Sequence, residues 1–229
     1  MNRTKIEWTD YTYNPITGCT KRCAYCYADR LAQSRLRKLY LANSDVAPGC
    51  DPSDPFSPRF WRGRLDDPCT KRKPSKIFTC SMGELFDPRV PDEWIEAVLA
   101  AASFHERHTF QFLTKQPRIA ATFDFPPNAW VGVTIEDGSN ECEERRRAMQ
   151  SVKAPIRFVS YEPLTGKPVS FPGWADWVII GAMTGPHALQ PKPEWVQALI
   201  GIADAVGIPV FLKDNLEWPE PRQEWPRRK

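Results

Sequence analysis

The chain has 229 residues, of which 41% are hydrophobic and 26% are charged, and this balance excludes wholesale disorder. The length suits one sizeable domain and is slightly short of a complete eight-unit α/β barrel, which takes about 250 residues. The net charge of +3 is modest, but residues 30–76 contain eleven Lys or Arg against five Asp. This segment is therefore either a solvated basic loop or a surface that attracts phosphates.

The sequence has no feature of a membrane or secreted protein. No run of about 18 apolar residues is present, and residues 1–8 lack the apolar region of a signal peptide. The seven cysteines are odd in number, which disfavours a disulfide framework and suits a reducing compartment. We therefore expect a cytoplasmic protein without a membrane partner.

The first part of the chain contains a strand, a cysteine-rich loop, a helix and a long insertion. Residues 5–18 are rich in aromatic and β-branched types and end at a glycine, which predicts an opening strand. From residue 27 to residue 42 apolar residues recur at helical spacing without Gly or Pro, which predicts one helix. Residues 43–75 contain six prolines and show no periodicity, which is typical of an insertion or lid.

The loop Cys19-Thr-Lys-Arg-Cys23-Ala-Tyr-Cys26 turns three thiols toward one centre. Thiolates hold iron–sulfur clusters, and no fourth ligand lies nearby, because the next cysteine is Cys50 and the nearest histidine is His105. Three close thiols without a fourth leave an open coordination position, where a substrate or cofactor binds. Cys19, Cys23 and Cys26 are therefore the predicted metal ligands. The alternatives are a zinc site completed by a distant residue and three cysteines buried as small hydrophobes.

The rest of the chain alternates between short apolar strands and amphipathic helices, which implies βα units and a parallel sheet. The predicted strands cover residues 76–81, 109–114, 129–135, 156–161, 177–182 and 208–213. Helices are predicted after Pro91, from Pro117, over 140–152 and over 194–206. We therefore predict an α/β fold, a partial (βα)6-7 barrel with parallel strands over residues 1–215. An extended tail over 216–229 follows, which Trp218 and Trp225 are expected to staple to the barrel.

In α/β barrels the active site lies at the carboxyl ends of the strands, so the polar residues that follow each predicted strand are the site candidates. They are Ser81, Gly83, Glu84, Thr114, Lys115, Thr134, Glu136, Ser160, Tyr161, Glu162, Gly181 and Lys213. About half of these polar groups are expected to be strand-end caps instead. Of the three histidines, only His187 falls on this side of the fold.

The spacing C-x3-C-x2-C, with Tyr25 before the last cysteine, resembles the signature of the radical S-adenosylmethionine (radical SAM) superfamily. The resemblance implies a [4Fe–4S] cluster on Cys19, Cys23 and Cys26, with SAM bound to the fourth iron. It also implies a core of six βα units in an incompletely closed barrel. One electron from the cluster would cleave SAM to a 5′-deoxyadenosyl radical, which abstracts a hydrogen atom from the substrate.

The same resemblance gives roles to the strand-end residues. The segment Ser81-Met-Gly83-Glu84 is similar, with one glycine only, to the glycine-rich segment that holds the SAM amino group. The other polar residues suit the ribose and carboxylate of SAM. The predicted cofactor-binding residues are Tyr25, Ser81, Gly83, Glu84, Thr114, Thr134, Glu136, Ser160, Glu162 and Gly181, and the predicted catalytic residues are Lys115, Tyr161 and Lys213.

A wider resemblance joins Ser-Met-Gly-Glu-Leu-Phe, Phe-Leu-Thr-Lys-Gln-Pro, Trp-Val-Gly-Val-Thr and Val-Ser-Tyr-Glu-Pro-Leu, in this order behind the cysteine loop. Together these segments are similar to a phage and bacterial family of radical-SAM-like proteins of largely uncharacterised function. That family usually has Gly-Glu-Ser-Gly where this chain has Ala182-Met-Thr-Gly185. The lost carboxylate indicates a specialised substrate or a rearranged site.

These observations lead to three functional hypotheses. The first is a radical SAM enzyme, an isomerase or nucleic-acid-modifying enzyme, that acts on a (hyper)modified nucleobase in phage DNA. Its partners would be SAM, DNA and a reductase or flavodoxin-type electron donor, and its location the host cytoplasm. The second is a nucleic-acid-binding module stabilised by zinc or a structural cluster, without SAM chemistry. The third is a radical SAM enzyme that acts on a protein or small metabolite.

Overall fold

The computed structural model describes residues 1–168, 171–185 and 188–227. Its strands are β1 (Asn2–Arg3), β2 (Tyr11–Tyr13), β3 (Ile16–Thr17), β4 (Arg59–Phe60), β5 (Lys76–Thr79), β6 (Thr109–Thr114), β7 (Ala129–Thr134), β8 (Ile156–Tyr161), β9 (Trp177–Ile180) and β10 (Val210–Leu212). Its α-helices are α1 (Tyr27–Gln33), α2 (Arg37–Leu41), α3 (Asp92–Phe104), α4 (Pro117–Ala120), α5 (Asn140–Ala148) and α6 (Pro193–Val206). In these described ranges no helix is both long and apolar enough to cross a membrane.

Eight strands form the central sheet, in the order β1-β2-β5-β6-β7-β8-β9-β10. The pair β1 and β2 is antiparallel, and every other neighbouring pair is parallel. Helices α3, α4, α5 and α6 lie in crossover connections, which return the chain to the start of the next parallel strand. The α/β class with a mostly parallel sheet is confirmed. No ladder joins β10 to β1 or β2 within the described residues, so the partial barrel stays a prediction.

Both faces of the sheet are buried. Successive side chains of a strand point to opposite faces, and helices and loops cover both. One face includes Phe112 and Val131 and packs in the same core as Ile95 and Val98 of α3. The other face carries a separate aromatic core, formed by Trp8, Phe78, Trp130, Phe158, Trp177 and Phe211. The apolar runs in the sequence therefore come from strands covered on both sides.

The prediction of one strand over residues 5–18 was wrong. This segment contains two strands, β2 and β3. Of these, β2 joins the central sheet, whereas β3 pairs with β4 in a second, two-stranded sheet. Pro15 separates β2 from β3, and it has no amide hydrogen to donate to a ladder. Residues 4–10 turn and bury Trp8 against Phe78, with ring centroids 4.7 Å apart.

The prediction of one helix over residues 27–42 was also wrong, because the chain breaks between α1 and α2. The Ser34 hydroxyl donates to the Arg30 carbonyl at 2.6 Å, a local bond that competes with the helical backbone pattern. The break leaves Leu39 on α2 half exposed rather than in the core.

The insertion over residues 43–75 is held together by a buried arginine. The Arg59 guanidinium donates to the carbonyls of Asn43, Pro52 and Asp54 at 2.5, 2.7 and 2.9 Å. The indole nitrogen of Trp61 donates to the Thr17 hydroxyl at 2.8 Å, which ties the insertion to β3. Part of the basic charge in this segment is therefore structural and does not face solvent.

The tail runs along β10 and returns to the aromatic core. The Leu212 amide donates to the Arg222 carbonyl at 2.7 Å, and the Trp177 indole donates to the Glu224 carbonyl at 2.8 Å. The Trp225 ring stacks on Trp177 at 5.1 Å. Trp225 thus makes the contact expected of a staple, although the division of the chain at residue 216 stays a prediction.

We expect Trp225→Ala to lower the free energy of unfolding by about 2 kcal/mol, because it removes an aromatic side chain packed against three other rings. Chemical denaturation measures the change. Phe104→Ala is the matched control, since the Phe104 side chain is 81% exposed and its loss should cost no more than about 0.5 kcal/mol. Equal stability of the two variants would contradict a stapling role for Trp225.

Candidate functional site

A cavity of about 880 Å³ lies at the carboxyl ends of the strands, a size typical of cofactor sites. All three cysteines of the loop line it, and residues from the amino-terminal segment and from α1 form further walls. The predicted site residues that also line it are Tyr25, Ser81, Gly83, Glu84, Thr114, Lys115, Thr134, Glu162 and Lys213. Residues from separate predicted strand ends therefore meet at one cavity.

The cysteine loop enters the site through a contact between two glycines. Gly18 has φ +91°, and a Cβ there would lie 2.4 Å from the Ser57 carbonyl oxygen. A Cβ on Gly83 would lie 2.6 Å from the Gly18 carbonyl oxygen. The Gly18 amide donates to Met82 and the Gly18 carbonyl accepts from Glu84, at 2.9 and 3.0 Å. Gly83 therefore allows the backbone of the cysteine loop to approach closely, and this role does not depend on a ligand.

Side chains around the loop fix it from outside. The Thr20 amide and hydroxyl both donate to the buried Asp87 carboxylate, at 2.7 and 2.8 Å. Arg22, with φ 55°, pairs with Asp29 at 2.8 Å and with Asp54. The two basic residues between the cysteines thus contact carboxylates, since Lys21 likewise pairs with Glu141.

Each of the three sulfurs receives an N–H donor. The Lys21 amide donates to Cys19 and the Asp29 amide donates to Cys26, both at 3.4 Å. The Lys115 ammonium donates to Cys23 at 3.4 Å. Burial raises the pKa of the Cys19 thiol to about 12 and also raises that of Cys26.

The donor set fits an iron–sulfur cluster in its chemistry, because three soft sulfurs face one cavity and N–H groups stabilise thiolate charge. Within the described residues, however, the three sulfurs are not gathered into a preassembled metal-ligand group. Metal binding would therefore have to draw the loop together and displace the thiol protons.

Lys115 lies at the centre of a buried charged network with Tyr25, Glu136 and Arg145, here called the Lys115 network. The Lys115 ammonium bonds the Tyr25 hydroxyl and, at 2.5 Å, one Glu136 carboxylate oxygen. The Tyr25 hydroxyl donates to the same oxygen at 2.5 Å. Arg145 donates to the other oxygen at 2.7 Å and to the Thr134 carbonyl at 2.8 Å. Burial alone would raise the pKa of Glu136, but the two cations outweigh it and hold that pKa low.

Glu84 is fully occupied by protein donors. Its carboxylate accepts from the Thr114 hydroxyl at 2.8 Å, the Lys115 amide at 2.9 Å and the Phe86 amide at 3.1 Å. Burial raises its pKa. The side chain therefore joins the loop after β5 to the end of β6. Thr114 also accepts from the Gln116 amide at 2.8 Å, so it acts as one of the expected strand-end caps.

A second charged group lies at the ends of β8 and β10. Lys213 pairs with Glu162 and lies 3.6 Å from Glu7. Burial raises the pKa of Glu162. Gly181 gives this pair its space, because a Cβ there would lie 2.9 Å from the Lys213 side chain and 3.2 Å from Glu162. Gly181 thus serves the ion pair and does not itself line the cavity.

Besides Gly181, three further predicted residues lie away from the cavity wall. Tyr161 is fully buried in the core that packs under the helices, because consecutive residues of a strand face opposite sides. Its neighbour Ser160 is also fully buried, and its hydroxyl has no hydrogen-bond partner among the described residues. Glu136 reaches the cavity only through Lys115 and Tyr25. His187 lies outside the described residues.

Sequence reasoning missed several polar residues at the site. The Asn14 side chain accepts from the Met82 amide at 2.8 Å and from Ser81 at 3.2 Å. Asn215 bonds both the amide and the carbonyl of Ala182, at 3.2 and 2.9 Å. Arg145 lies in a highly charged helix, where nothing in the sequence distinguishes it from solvated neighbours. The position of Asn14 between β2 and a proline was the one available signal.

Comparisons with known proteins identify a family. Residues 3–228 match the family described as Protein of unknown function (DUF5131), and the chain belongs to that family. No curated protein matches the sequence. Among solved structures the chain is similar to spore photoproduct lyase complexed with dinucleoside spore photoproduct, at 13% identity and a TM-score of 0.49. The match covers 71% of this chain and 48% of that one, so this chain spans about half of that protein, and the likeness carries no argument about activity.

We expect Glu136→Gln to remove part of the acid dependence of stability. The pKa of Glu136 is lowered in the folded state from 4.5 to about 2, so its ionised form stabilises the fold above about pH 4.5. That stability is lost as the pH falls through this window. Unfolding free energies measured from pH 6 to pH 2 should therefore decline less steeply in Glu136→Gln than in the wild type.

Glu144→Gln is the matched control for this measurement, because Glu144 lies on α5, is 62% exposed and pairs with Arg118 only at the surface. Surface pairs contribute little, so we expect the wild-type profile. If Glu136→Gln kept the wild-type slope, the Lys115 network would not hold Glu136 ionised.

Proposed function

We propose that this protein is a radical SAM enzyme. The observation that carries the proposal is the position of Cys19, Cys23 and Cys26, which have the C-x3-C-x2-C spacing and all line one cavity at the strand ends. The cavity walls also carry hydroxyls, carboxylates and four lysines. A purely structural metal site would have no need for a cavity of this size beside its ligands.

The three cysteines would hold a [4Fe–4S] cluster, which with SAM supplies one-electron cleavage and hydrogen abstraction. The chain's own residues bind and orient. The cavity lining includes the hydroxyl residues Ser81 and Thr134 and the charged residues Glu162 and Lys213. Ile6 and Trp8 of the amino-terminal segment add apolar surface to the cavity wall.

A nucleobase within DNA is the substrate that we propose for this site. Arg35, in the break between α1 and α2, and Arg37 and Lys38 on α2 are exposed. Arg35 and Leu39 line the cavity. Cations beside a cavity mouth attract a phosphate backbone, and a base has to leave the duplex stack to enter such a cavity. Arg59 of the insertion does not contribute, because it is buried and its guanidinium bonds three backbone carbonyls.

The first experiment is anaerobic reconstitution with iron and sulfide, followed by dithionite and SAM. We expect about four irons per chain and formation of 5′-deoxyadenosine. Cys23→Ala should lose both, whereas Cys50→Ala should retain both, because Cys50 does not line the cavity.

Zinc without iron would overturn the proposal and favour the binding module without SAM chemistry. A cluster that leaves SAM intact would also overturn it. If 5′-deoxyadenosine forms but DNA does not stimulate its formation, the radical chemistry is supported and DNA is not the substrate. A protein or small metabolite is then the proposed substrate.

The second experiment measures DNA binding as a function of salt. The double variant Arg35→Ala with Lys38→Ala should bind more weakly and should show a smaller salt slope, by about one per lost phosphate contact. Arg107→Ala with Lys153→Ala is the matched control, since both side chains are exposed in loops that precede strands, away from the cavity. Equal effects of the two double variants would contradict DNA docking beside α1 and α2.

A further inference from the structure

The Lys115 ammonium contacts one cysteine sulfur, and all three of its N–H groups have acceptors. An ammonium has three N–H groups, and those of Lys115 meet three acceptors: Cys23 Sγ at 3.4 Å, Glu136 Oε1 at 2.5 Å and the Tyr25 hydroxyl. The ammonium also lies 4.5 Å from the centroid of the Tyr25 ring. The side chain is therefore committed to this position.

The lysine is anchored at both ends. Its backbone amide donates to Glu84 Oε2 at 2.9 Å. At the other end its partner Glu136 is itself fixed by Arg145, whose guanidinium also bonds the Thr134 carbonyl at 2.8 Å. Moving Lys115 away would leave a buried carboxylate with one cation in place of two, which is costly.

The three sulfurs differ in their donors. Cys19 and Cys26 each receive a neutral backbone amide, whereas Cys23 receives a full positive charge. The Lys115 network contains two cations and one carboxylate, a formal net charge of +1. Hydrogen bonds to the sulfurs and nearby charge are two of the factors that set the reduction potential of an iron–sulfur cluster. In a buried wall this charge acts at low effective dielectric.

We propose that Lys115, positioned by Glu136 and Arg145, raises the reduction potential of the cluster through Cys23. The inference rests on the proposed function, because it needs a cluster on Cys23. The step is the entry of one electron from an external one-electron donor, with no bond formed or broken and no proton transferred. The positive charge favours the reduced cluster, which carries one more negative charge. Lys115 then acts on the cluster before SAM binds, which is a different role from contact with the SAM carboxylate.

The test is a redox titration of the reconstituted cluster without SAM, followed by electron paramagnetic resonance. Lys115→Met should lower the potential so that the ratio of reduced to oxidised cluster falls at least tenfold, which is about 59 mV for one electron. Lys115→Arg should restore most of the wild-type potential because it keeps the charge. Lys213→Met is the matched control: Lys213 is as deeply buried and lines the same cavity, but within the described residues it contacts carboxylates and no cysteine sulfur.

A wild-type potential in Lys115→Met overturns the inference, and weaker SAM binding in that variant would then assign Lys115 to the cofactor. Equal shifts in Lys115→Met and Lys213→Met also overturn it, because the effect would then be one of general cavity charge. If Lys115→Met loses its cluster, Lys115→Gln gives the same comparison, and a wild-type potential there overturns the inference. Failure of the wild type to assemble a cluster overturns the proposed function as well, and iron content identifies that case.

Discussion

The backbone contact between Gly18 and Gly83 is the constraint on which the rest of the site depends. Each glycine lies where a Cβ would clash with backbone atoms of another segment. The contact fixes the cysteine loop to the end of β5, and Glu84, the next residue, then holds the end of β6. Backbone packing and one buried carboxylate thus set the position of the cysteine loop.

Two charged groups at the cavity, each centred on a partly buried lysine, differ in net charge. The Lys115 network has a formal net charge of +1 beside Cys23, whereas Lys213 lies with two carboxylates, Glu7 and Glu162, at a formal net charge of −1. Burial makes each charge dependent on its partners, because an unpaired ion in such a wall is expensive. The cavity is therefore flanked by a net positive group beside Cys23 and a net negative group around Lys213.

The positions of the strands were predictable from the sequence. The face of the sheet to which each strand-end side chain points was not. The bounds of β6 and β8 match the predicted residues, because each is a short segment rich in aromatic and β-branched residues with a clear boundary. Tyr161 was assigned to the site because it ends a strand, but one residue of register decides which face a side chain takes. Glu7 was missed because its partner Lys213 lies far along the chain. Arg145 was missed because it lies in a charged helix whose other residues look alike in the sequence. Such contacts follow from the fold and not from local pattern.

The two edges of the central sheet determine whether a partner can bind by adding a strand to it. At one edge β1 is only two residues long, and at the other the tail covers β10 through the bonds from Leu212 to Arg222 and from Glu224 to Val210. Short or covered edges give a foreign strand little to pair with. Recognition by strand addition is therefore disfavoured on either side. A partner is left to engage side chains and loops, and among these the residues of α1 and of the strand ends line the same cavity as the thiols.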